Sequence, residues 1–97
     1  MTKSARVVVK YYNLIREAVH TSSEIFEVDP ALRWRDVIEL LAERHGQAFR
    51  KAVMTDDGLW AAGVRIFVDG RALLPDGFDR EVGSGGELSF FSAVSGG

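Results

Sequence analysis

Glu87-Leu88-Ser89-Phe90-Phe91, followed directly by Ser92-Ala93-Val94-Ser95-Gly96-Gly97, is the stretch on which the reading of this chain turns. The first five residues read as a strand with Leu88 and Phe90 on its inner face. The last six are small and end in two glycines, which reads as a flexible tail leaving that strand. We therefore expect a folded domain over residues 1–91 and a tail over residues 92–97. With glycine at about 7% of residues, a terminal pair arises by chance in roughly one chain in two hundred, and a frayed end is its plain reading. A strand feeding a Gly-Gly tail has a second reading. It presents a C-terminal carboxylate, on a residue without a side chain, as a reactant.

Working outward, the chain has 97 residues, enough for one core. Apolar residues make up 46% and charged residues 27%, as in ordinary soluble domains. A formal charge of −2 gives no basic nucleic-acid footprint. The absence of cysteine removes disulfides, thiolate metal sites and a cysteine nucleophile together. No apolar run approaches the roughly 20 residues of a membrane span, and Met1 to Arg6 has no signal-peptide core. The expected location is the cytoplasm.

Arg6 to Tyr12 reads as a strand with two possible inner faces, Val7/Val9/Tyr11 or Val8/Lys10/Tyr12. Lysine belongs in water, which favours the first set. Asn13 to Val19 reads as a short connection with room for one helical turn, and Glu24 to Val28 as a second strand carrying Phe26 and Val28 on one face. Trp34, Val37, Ile38, Leu41 and His45 recur at helical spacing, with Leu40 widening the stripe. The helix starts either at an Asp29 cap or nearer Arg33, and ends at Gly46. Gln47 to Met54 suggests a second helix with Phe49 and Val53 inward. Thr55 to Gly58 reads as a loop, and Val64 to Val68 as a strand with Val64, Ile66 and Val68 inward. Asp69-Gly70 predicts a tight turn into a returning strand over Arg71 to Leu74. Pro75 to Gly77 and Gly83 to Gly86 read as loops. This order predicts an α+β domain: a mixed sheet of four to five strands with one main helix packed across it.

The order resembles the ubiquitin-like β-grasp fold. Val9-Lys10-Tyr11-Tyr12-Asn13-Leu14-Ile15-Arg16-Glu17 resembles the start of the MoaD/ThiS-type sulfur carriers, which include the small subunit of molybdopterin synthase. Glu87 to Gly97 is similar to that family's C-terminal signature, and Val64 to Arg71 to its middle hairpin. There are departures: Ser92-Ala93 stand where many MoaD proteins carry two prolines, and Met54 to Gly63 looks like an insertion. The resemblance implies a carrier rather than an enzyme. A ubiquitin-activating-type partner would adenylate the terminal carboxylate with ATP, and a sulfur donor would convert Gly97 to a thiocarboxylate, with Gly96 beside it. A second protein, the large subunit of molybdopterin synthase, would accept the sulfur. Related carriers serve cysteine synthesis, thiamine synthesis or tRNA thiolation, and some are protein modifiers. A ubiquitin-like binding module with an inert tail is the reading from a different class. No bound cofactor and no metal is implied.

In a β-grasp sheet the first strand lies beside the last and the last beside the third. Tyr12, Phe67 and Phe91 occupy the outward phase of those strands, so they are expected to form one exposed partner-binding patch flanked by Lys10 and Arg65. Ser92, Ala93, Val94 and Ser95 would then carry Gly97 into the partner. His45 reads as a helix C-terminal residue favoured by the dipole, His20 as a turn residue, and Trp34 and Trp60 as packing residues.

Overall fold

The computed structural model describes residues 4–54 and 63–92. Along the chain run strand β1 (Ala5–Tyr11), helix α1 (Asn13–Val19), strand β2 (Ser23–Val28), helices α2 (Trp34–His45) and α3 (Gln47–Val53), strands β3 (Val64–Val68) and β4 (Arg71–Ala72), a 3-10 helix (Pro75–Asp79), and strand β5 (Gly85–Ser92). The sheet order is β2-β1-β5-β3-β4. β5 lies parallel to β1 and antiparallel to β3, and the remaining pairs are antiparallel. This is the mixed five-stranded α+β β-grasp arrangement that the element order predicts.

Strand alternation decides which face is dry. Val7, Val9 and Tyr11 are buried, as are Leu88 and Phe90 on β5 and Val64 and Ile66 on β3. Lys10 keeps the water-facing phase, so the first of the two possible faces is the inner one. Across this layer α2 lays Trp34, Val37, Ile38 and Leu41, and α3 adds Phe49 and Val53. The Phe49 ring meets Phe90 edge-on at 5.6 Å. Each such buried side chain contributes roughly 1.5–3 kcal/mol of hydrophobic stabilisation.

Several elements differ from expectation for identifiable reasons. Asn13 to Val19 is a complete two-turn helix, stabilised by burial of Ile15 and Val19. Leu40 is not part of the buried stripe: it is 43% exposed, and Ala42 fills the inner position. α2 starts at Trp34, with the Asp36 carboxylate accepting from the Arg33 amide at 2.9 Å. Asp29 instead holds the preceding turn by accepting from the Ala31 amide. The Asp69-Gly70 turn forms with φ of 51° and 83°, the primed-turn geometry that the dipeptide predicts. β4 is only Arg71–Ala72; Leu73 makes one further bond to the Ile66 carbonyl before the chain enters the 3-10 helix. Ser92, assigned from sequence to the tail, is the last residue of β5 and lies opposite Val64. The loop expected at Thr55 to Gly58 and the packing role of Trp60 fall outside the described residues.

Gly85 and Gly86, expected in a loop, open β5. Gly85 has a φ of +96°, and a Cβ there would lie 2.2 Å from the Arg6 carbonyl oxygen. β1 therefore approaches β5 more closely than any side chain allows.

At one end of the sheet, a half-buried polar cluster ties β2 to α2. Glu24 Oε2 accepts from Tyr11 Oη at 2.8 Å and lies 2.6 Å from His45 Nε2, while its Oε1 accepts from Arg44 Nε at 2.8 Å. His45 does sit in the last turn of α2, but its role is this contact as well as any dipole effect. Burial disfavours the Glu24 carboxylate; hydrogen bonds from His45, Tyr11 and Arg44 outweigh that, so its pKa lies below the ordinary value. Burial, and then the bond to Glu24, push the Tyr11 phenol well above its usual range.

Gly85→Ala destabilises the domain by about 2–4 kcal/mol. Gly83→Ala, where a Cβ meets nothing within 4 Å, costs about 1–2 kcal/mol for its left-handed backbone alone; urea unfolding of both variants measures the difference. Glu24→Ala costs about 1–3 kcal/mol near neutral pH. Because the folded pKa is depressed, this stabilisation is complete above the unfolded value of about 4.3 and is lost as pH falls through the folded value. The gap between variant and wild-type urea midpoints therefore narrows in acid.

Candidate functional site

The sheet face opposite the helices carries the outward phase of its three central strands. Register sets what meets there: Tyr11 pairs with Phe90, Arg65 with Phe91, and Phe67 with Ser89. Tyr12, one residue past the end of β1, therefore falls beside Phe91, and Phe67 lies diagonal to it. The Tyr12 and Phe91 rings stack with centroids 4.4 Å apart and planes within 1°. Phe67 meets Phe91 edge-on at 5.4 Å. Aromatic pairs of this kind contribute about 0.5–1.5 kcal/mol beyond their burial, so the three rings form a preorganised unit. All three are partly exposed.

The structure thus brings together the three aromatics that alternation places on this face. They line a shallow groove of about 560 Å³ with Arg65, Glu87 and Ser89. Of the two expected flanking cations, Arg65 lines the groove and Lys10 pairs with Glu87 at 3.6 Å beside it. That ion pair is partly solvated and adds little stability; it gives the rim a mixed charge. The groove can offer ring faces, a guanidinium and a carboxylate to a partner surface.

Ser92 closes β5 at the edge of this patch, with its carbonyl 3.1 Å from the Asn13 side-chain amide. The sequence offered no signal for that bond, because Asn13 read only as part of a connection. Ala93, Val94, Ser95, Gly96 and Gly97 lie outside the described residues. Among the described residues, no group of three His, Asp or Glu side chains is arranged to hold a metal ion. No helix among them is long and apolar enough to cross a membrane.

Comparisons with known proteins bear on the fold and the family of the chain. SAMP1 from Haloferax volcanii superposes with a TM-score of 0.82 at 24% identity, covering 96% of this chain and 100% of that one. A Pyrococcus furiosus protein named as molybdopterin converting factor, subunit 1, is 28% identical at a TM-score of 0.70, covering 94% of this chain and 100% of its own. CysO from Mycobacterium tuberculosis is 18% identical at 0.70, covering 91% and 99%. A comparison with curated protein sequences found no match. The ThiS family model matches residues 9–97. The chain therefore belongs to the ThiS family of ubiquitin-like sulfur carriers, whose members are carrier proteins that work with activating enzymes and acceptor partners.

Proposed function

We propose that this chain carries sulfur as a thiocarboxylate on Gly97 for molybdopterin synthesis, as the small subunit of molybdopterin synthase. The observation that carries the reading is the span of the family match. It runs from Val9 through Gly97 and so takes in the aromatic strand end and the glycine pair together. The choice of pathway draws on the likeness to the Pyrococcus furiosus protein.

The chemistry follows from the residue types. A carboxylate is a poor electrophile, so the Gly97 carboxylate first attacks the α-phosphate of ATP on an activating partner, releasing pyrophosphate. A sulfur nucleophile then attacks the acyl-adenylate carbon and AMP leaves. Gly96 and Gly97 have no Cβ to obstruct either attack or passage through a narrow channel. The catalytic groups sit on the partners, and the reaction belongs in the cytoplasm, where ATP is available. In this reading the Tyr12, Phe67 and Phe91 patch docks the activating and accepting partners in turn, with Ala93 to Ser95 as the reach from the end of β5 to their active sites. Attack by a lysine amine on the same acyl-adenylate would instead make the chain a protein modifier. Conjugates surviving boiling in detergent would identify that outcome.

Deleting Gly97 abolishes sulfur transfer while leaving partner affinity within about twofold, since the docking surface is untouched. Cofactor synthesis rescued by the deleted chain would contradict the carrier reading and favour a binding module with an inert tail. Phe91→Glu weakens binding to the activating enzyme by about tenfold or more, measured by calorimetric titration. An unchanged affinity would remove the patch from the docking surface.

A further inference from the structure

The hydrogen-bond phase of β5 explains what the Asn13 contact does. Asp69 N–H donates to the Glu87 carbonyl at 2.8 Å. Odd-numbered residues of β5 thus turn their carbonyls toward β3, and even-numbered ones toward β1. Accordingly the Phe90 carbonyl receives Tyr12 N–H at 3.1 Å. Two residues on, the Ser92 carbonyl faces the same side, and a continuing parallel ladder would meet it with the amide of residue 14. No such amide is there, because the chain turns into α1 at Asn13. Asn13 holds a φ of +57°, a conformation that asparagine tolerates better than most residues. Its Nδ2 donates to the Ser92 carbonyl instead. A side chain has replaced the missing rung.

The geometry points to Asn13 as a positioning residue that holds the Ser92 carbonyl and so fixes the direction in which the chain leaves β5 toward Gly97. This rests on the carrier reading above. The peptide unit is planar, so fixing its carbonyl fixes the heading of the bond that follows. From Ser92 to Gly97 the chain reaches about 17 Å when extended, so a change of heading at the root is magnified at the reacting carbon. Docking and aiming are then separate: the stacked rings of Tyr12 and Phe91 set affinity, and Asn13 sets how often a docked chain presents Gly97 productively.

The test uses the full chain as substrate for its activating enzyme with ATP and a sulfide source, so that the acyl-adenylate turns over, with pyrophosphate release followed against carrier concentration. Asn13→Asp keeps the size and the tolerance for positive φ but removes the donor. Asn13→Gly keeps the backbone and removes the side chain. Both lower kcat by about three- to tenfold with KM within about twofold. Unchanged kinetics, or a raised KM at constant kcat, would overturn the assignment. A merely structural role would lower the thermal midpoint and leave kcat intact. The second readout, backbone 15N relaxation at Ala93 and Val94, does not depend on any reaction, and both variants are expected to show larger amplitudes than wild type. If wild type does not react at all, the carrier reading fails, and relaxation alone judges the anchor: equal amplitudes in all three chains would overturn it.

Discussion

The alternation of β5 is the constraint on which the rest depends. As the central strand, β5 is hydrogen-bonded on both edges. Leu88 and Phe90 are fully buried against the helical layer, while Phe91 lies on the opposite face against Tyr12 and Phe67. A one-residue slip would expose Phe90 and bury Phe91, destroying core and patch together. The close approach of Gly85 to the Arg6 backbone guards against such a slip at one end of the strand. The Asn13 bond marks the other end. Register, core and surface patch are therefore one property of this sequence.

The remaining elements hold that strand in place. α2 and α3 cover the inner face, and α1 lies between α3 and the end of β5. The Glu24 cluster ties β2 to the C-terminal turn of α2 through Tyr11, Arg44 and His45. Tyr11 joins two systems: its ring stacks on Phe90 at 5.8 Å and its hydroxyl reaches Glu24. The outer patch thus rests on a layer whose polar and apolar contacts share residues.

Much of this was legible in the sequence because it follows from short-range periodicity. Alternation in β1, β3 and β5 correctly gave the inner residues and the outward aromatics, and Asp69-Gly70 gave the turn. What was not legible depends on tertiary contact. Gly85-Gly86 has the composition of a loop, and only pairing with β1 makes it strand. α1 has no side-chain cap at Tyr12, so nothing local announces it; burial of Ile15 and Val19 stabilises it. Leu40 lies next to a real stripe, and the orientation of α2 over the sheet decided for Ala42. The Asn13 bond joins residues 79 apart, beyond any local pattern. Of the candidate site, the three rings were placed by alternation together with the β-grasp strand order. Gly96 and Gly97 rest on the sequence and the family match.

In the proposed function the sheet face recognises partners, and Gly97 reacts on their catalytic groups. The most direct test is the intact mass of the chain after incubation with ATP, a sulfide source and its activating enzyme. The account predicts a rise equal to the exchange of one oxygen for sulfur, mapped to Gly97. An unchanged mass, with the enzyme shown active on another carrier, would contradict it.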